Sequence, residues 1–152
     1  MLNRQEDELG QLILKLSHQI VKNRGRHAQS MGLTAGQADC LLFFSSRQEA
    51  SVTQLKDYLG VTHQTAQGLV QRMAAKGLLY TRRSPQDSRV LLVSLSPLGR
   101  GQAEQLAHSR EHTVGQLLQG ISPQKEEELL RTLELVYRNA QGEPRLREEA
   151  SV

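Results

Sequence analysis

Apolar residues recur along this chain at steps of three and four, the period that turns one face of a helix toward a core. Leu9, Leu12, Ile13, Leu16, Ile20 and Val21 predict a first helix over 6–27, closed by Gly32. Thr34 can cap a second, over 34–46, with Ala38, Leu41 and Leu42 inward. Ser51-Val52 supports a short extended stretch at best. Thr53 is the expected cap of a short helix whose Leu55 and Leu59 face one way. Gly60 ends that helix, since glycine enters the left-handed conformation of a helix C-terminus without penalty. After Val61, Thr62 caps a helix over 63–76 with the buried stripe Ala66, Leu69, Val70 and Met73, and Gly77 stops it.

The period then changes. Residues 78–84 and 90–95 are aliphatic or β-branched runs on either side of Pro85-Gln86-Asp87-Ser88-Arg89, a turn cluster, and so predict a hairpin with a charged tip. Ser96-Pro97 and Ser122-Pro123 are two further helix starts, with proline where its missing N–H costs nothing. These helices run to about 119 and 141. The last carries the stripe Leu129, Leu130, Leu133, Val136 and Tyr137 and is stopped by Gly142 and Pro144. The fold class is therefore mainly α with a small β-hairpin wing. The expected divisions are an N-terminal helix region (1–33), a central helix–hairpin domain (34–96), C-terminal helices (97–141) and a polar tail (142–152). The first and last stripes lack a partner inside so small a core, which predicts pairing with a second copy through the first, fifth and sixth helices.

Composition narrows the class. Phe43, Phe44, Tyr58, Tyr80 and Tyr137 are the only aromatics, too few for a single-strand stacking platform. No apolar run approaches the roughly 20 residues of a membrane span, and the acidic N-terminus is not a secretory signal. The one cysteine, Cys40, makes no internal disulfide. A cytoplasmic chain with no membrane partner is expected, and Cys40 reads as a buried inert thiol. The net charge of +3 decides nothing, but its distribution does. Residues 53–96 carry six basic side chains against Asp57 and Asp87, whereas residues 121–152 are net acidic. A cationic block attracts phosphate.

Two capped helices joined through Gly60-Val61 form a helix-turn-helix. The second helix of such a pair fits a DNA major groove about 12 Å wide, its N-terminal side chains on base edges. The outward positions here are Thr62, His63, Gln64, Gln67 and Gln71. Arg82 and Arg83 on the first hairpin strand and Arg89 at the tip extend the basic surface. Arg89 can reach a minor groove, with Asp87 orienting its guanidinium. The competing readings are a solvated polar face with a surface ion pair, and a winged-helix module that binds only protein. The cationic hairpin argues against both. An enzyme has one foothold, Gly99-Arg100-Gly101 opening a helix after a strand, but Glu104 replaces the third glycine of a dinucleotide fingerprint and no parallel strand follows.

The stretch from Val52 through Gly101 resembles the winged helix-turn-helix core of the MarR family of bacterial transcriptional regulators. Asp87-Ser88-Arg89 matches the family's D-x-R wing signature, followed by 90–96 and Gly99, and Leu33-Thr34 matches the start of its second helix. Two departures stand out: Gly68 sits where the family has a larger polar residue, and Pro97 is unusual after the second wing strand. The resemblance implies a homodimeric repressor on a pseudo-palindromic double-stranded operator, released by a small-molecule effector. The effector is expected in a crevice between the dimer helices and the winged domain. No cofactor is required. A zinc-responsive regulator of the same fold is the alternative. Glu104, His108 and His112 share a helical face, two histidines at i and i+4 can chelate one ion, and Asp39 or Cys40 is a further candidate ligand. Some members of the resembled family bind zinc on this helix. The organic ligand is favoured, because no convincing third and fourth metal ligand is evident.

Overall fold

The computed structural model describes residues 1–142; residues 143–152, most of the predicted polar tail, lie outside the described residues. Contacts divide the chain into two compact units, Met1–Glu111 and a second beginning at His112.

In the first unit, α1 (Arg4–Ser30) starts earlier than the periodicity alone predicts. Asn3 accepts from the Glu6 backbone and Glu6 answers to the Asn3 N–H, a reciprocal cap that the apolar spacing does not register. Thr34 and Gln37 cap α2 (Ala35–Ser45) in the same way. The strand β1 (Ala50–Ser51) runs directly into α3 (Val52–Leu59). The expected cap Thr53 is thereby corrected to Ser51. Ser51 Oγ accepts from the Gln54 N–H at 3.1 Å, and Gln54 Oε1 accepts from the Ser51 N–H at 2.9 Å. This Ser-x-x-Gln box satisfies two orphan donors at once, whereas Thr53 has no glutamine or glutamate three residues on. Val52 consequently belongs to the helix and is buried.

Next come α4 (His63–Ala75), β2 (Leu79–Arg83), β3 (Leu91–Leu95) and α5 (Pro97–Leu117). The predicted hairpin gains a third strand: the antiparallel order is β1-β3-β2, with Ala50 opposite Val93 and Thr81 opposite Val93 on its other side. Phe44, Leu41, Leu55, Met73, Val70, Val93 and Cys40 are the largest fully buried side chains, so α2, α3, α4 and the sheet share one core. The predicted inward stripe of α4 is wholly buried.

The start of α5 packs against the start of β2. The Ser96 N–H donates to Leu78 O at 3.1 Å, and Ser96 Oγ donates to Gly77 O and accepts from the Gly99 N–H. A Cβ at Gly99 would fall 2.0 Å from Leu78 O. Close backbone approach therefore explains this glycine, which removes the dinucleotide reading of 99–101.

In the second unit, α6 (Pro123–Ala140) starts at its predicted Ser122 cap and buries none of its residues within this chain. Among the described residues, no helix is long and apolar enough to cross a membrane.

Candidate nucleic-acid interface

The turn between α3 and α4 depends on Gly60 at φ +66°, where a side chain would be strained. Thr62 then caps α4, its Oγ1 accepting from the Thr65 N–H at 3.1 Å. With Ala66, Leu69, Val70 and Met73 fixed in the core, helical geometry leaves Thr62, His63, Gln64, Gln67 and Gln71 outward, and all five are exposed. Gln64, Gln67, Gly68, Gln71 and Arg72 line an open groove of about 410 Å³ along this face. Arg72 was legible in sequence only as part of the basic block. Its spacing of one turn from Gly68 is the signal that places it in the groove.

A smaller crevice of about 100 Å³ joins three elements. It is lined by Ser51 and Thr53 at the start of α3, His63 and Gln67 of α4, and Arg83 and Arg89 of the wing. Helix N-termini and guanidinium groups both favour an anion. At the wing tip, Arg89 Nε lies 3.0 Å from Asp87 Oδ1 and Nη2 lies 3.1 Å from Oδ2, a two-pronged pair. The Arg89 N–H also donates to Asp87 Oδ1 at 3.0 Å, and the Val90 N–H donates to Asp87 O. One aspartate thus closes the turn and aims the arginine. The Arg89 side chain is still 88% exposed, so it is oriented without being withdrawn from solvent. The Arg89 guanidinium, then its backbone N–H, holds the Asp87 carboxyl below the usual carboxylate range.

Arg82 lies on the first hairpin strand as expected, but its side chain is turned from the crevice. Adjacent strand residues point to opposite faces, so Arg82 cannot share the crevice side with Arg83. Its Nε and Nη2 each lie 2.7 Å from a carboxylate oxygen of Glu49, just before β1. That pairing raises the Arg82 pKa and lowers that of Glu49. Glu49 had no signal in sequence, because the third strand that brings it near β2 was read only as an extended stretch.

The proposed metal ligands do not converge. Asp39 is paired with Arg24 of α1, and Glu104, His108 and His112 are exposed on α5. Among the described residues, no three His, Cys, Asp or Glu side chains are grouped as a metal ion needs. Cys40 is fully buried, and burial pushes its thiol up to about 12.

The geometry is that of a winged helix: a helix-turn-helix followed by a hairpin beside its second helix. Residues 31–90 match the model of the MarR family, and the resemblance carried by Leu33-Thr34 and the Asp87-Ser88-Arg89 wing is borne out. The chain is 22% identical over 108 residues to the HTH-type transcriptional regulator YdgJ of Bacillus subtilis, covering 71% of this chain and 66% of that one. It is 24% identical over 127 residues to the HTH-type transcriptional repressor IacR of Pseudomonas putida, covering 79% and 76%. The chain thus spans about two thirds to three quarters of these relatives' lengths. Among solved structures it is similar to Streptococcus pneumoniae FabT in complex with DNA, with a TM-score of 0.81, 15% identity and coverage of 90% and 97%.

Proposed function

We propose that this chain is a sequence-specific double-stranded-DNA-binding transcriptional regulator, a cytoplasmic homodimer acting as a repressor whose DNA is released by a small organic effector. The observation that carries the reading is the convergence of His63 and Gln67 of α4 with Arg83 and the Asp87-oriented Arg89 around one crevice. The exposed amide and imidazole groups of α4 suit base edges in a major groove. A preset arginine on a narrow loop suits the deep negative potential of a minor groove. Arg83 and the start of α3 suit the phosphates between. The name of the relative IacR and the DNA bound to FabT support the same reading.

A mobility-shift titration on the DNA immediately upstream of the protein's own coding region and its neighbours tests it. Arg89→Ala is expected to weaken binding most where the flanks are A/T-rich. Asp87→Ala weakens it less, because the charge stays and only its orientation is lost. Equal affinity for wild type and the Arg89 variant would remove the wing from the interface.

A further inference from the structure

Gly68 lies in the middle of α4 with no internal need for glycine. Its φ is not positive, and a Cβ there would touch only the end of the Arg72 side chain, 3.3 Å from Nη1. A mid-helix glycine costs about 1 kcal/mol relative to alanine. The chain has other helical glycines with open space around them, but Gly68 alone stands on the exposed groove of α4, between Gln64, Gln67 and Gln71.

Helical side chains lean toward the N-terminus and cover the preceding turn. Arg72 therefore leans over residue 68, and the absent side chain lets its guanidinium lie along the groove floor. No carboxylate or carbonyl of the described residues takes the Arg72 protons, in contrast to Arg82, which Glu49 occupies on the other side of the sheet. A free, planar guanidinium among neutral amides has one good partner on a base edge: the O6 and N7 acceptors of guanine, which it meets in two parallel hydrogen bonds. Glutamines prefer adenine.

We propose that Gly68 and Arg72 act as a specificity pair, the gap at Gly68 seating the Arg72 guanidinium so that it reads a guanine in each operator half-site. This rests on the DNA-binding reading above and adds the base that is read.

The test is selection of bound duplexes from a randomised library, followed by titration of the selected site and of its single-base variants. Wild type, Arg72→Ala and Gly68→Ala are compared, with thermal unfolding as the control for folding. Wild type is expected to discriminate one G·C pair per half-site by roughly 10- to 100-fold. Arg72→Ala is expected to lose that discrimination while keeping the other base preferences. Gly68→Ala, whose Cβ pushes on the guanidinium, is expected to weaken discrimination at the same pair only, and to unfold at a temperature no lower than wild type. If Arg72→Ala instead lowers affinity uniformly and flattens the salt dependence by about one phosphate, Arg72 is a backbone contact and the pairing is wrong. Full discrimination by Gly68→Ala would equally overturn it. A wild type that selects no sequence at all would fell the DNA-binding reading itself, a separate and recognisable result.

Discussion

Arg82 and Arg83 show how much one residue's place in a strand decides. In sequence they are an Arg-Arg pair with one expected role. On β2 the side chains diverge, Arg83 to the crevice and Arg82 to Glu49. Exposed pairs of this kind contribute little to stability, so the consequence of the second pairing is orientation. Cys40 shows the opposite limit, where solvent is excluded. Its thiol, raised to about 12, stays protonated and shielded. Native protein is expected to react with a thiol-specific disulfide reagent only after denaturant is added, and peroxide is expected to leave DNA affinity unchanged. Because the folded pKa lies above the unfolded value, the unfolded chain releases the proton first as pH rises. Stability from this group is full below about 9 and falls between 9 and 12. Stoichiometric labelling of the native protein at neutral pH would contradict the buried placement.

At the scale of elements, what the sequence made legible was what is local. The α4 stripe, the Gly60 turn, the Thr34, Thr62 and Ser122 caps and the wing tip each depend on residues within a turn or two of one another. What escaped depends on partners far along the chain. The Ser51 cap was misplaced by two residues because β1 ends where α3 begins, and β1 exists only through pairing with Val93 and Leu92, about 40 positions on. Glu49 meets Arg82 for the same reason, and Asp39, a candidate ligand only in the disfavoured zinc alternative, meets Arg24 of α1. The sequence argues against a phosphate-binding loop at Gly99 but offers no reason for the glycine, which its approach to Leu78 O supplies. That contact makes a prediction. Gly99→Ala must push apart α5 and β2 where the obstacle is backbone, and so cannot relax by a rotamer change. A loss of about 1–3 kcal/mol is expected, or roughly 2–4 °C in Tm per kcal/mol for a chain of this size. Gly101→Ala, two residues on with open space around it, is expected to match or exceed wild type. Equal Tm values for the two variants in calorimetry would show that the α5–β2 approach is looser than described.

For the whole molecule, the question is what covers the apolar side chains that the single chain leaves in water. Leu9, Leu12, Ile13, Leu16 and Val21 of α1 are all exposed, Leu12 at 62%, and so are Leu129, Leu130, Leu133, Val136 and Tyr137 of α6, Leu133 at 50%. These are the stripes whose periodicity predicted the helices, so the sequence pattern was legible while the partner was not. Each such side chain contributes about 1.5–3 kcal/mol when fully buried. Association costs on the order of 4–15 kcal/mol before any of that is recovered. These side chains are already partly covered, so a few of them are insufficient and the cover must extend along both stripes. If two copies pair through these helices, as proposed, the dimer has the two-fold axis that an inverted-repeat operator requires, with half-site centres about 10–10.5 bp apart. Wild type is expected to sediment as a dimer at micromolar concentration. Leu133→Glu, placing a charge in the α6 stripe, is expected to shift it toward monomer while the helical circular dichroism of the winged unit persists. Its operator affinity should fall much further than its affinity for a single half-site, since the loss is of simultaneous engagement and not of the contacts themselves. A monomeric wild type, or a Leu133 variant that remains dimeric and binds the operator as before, would require another cover for the α6 stripe.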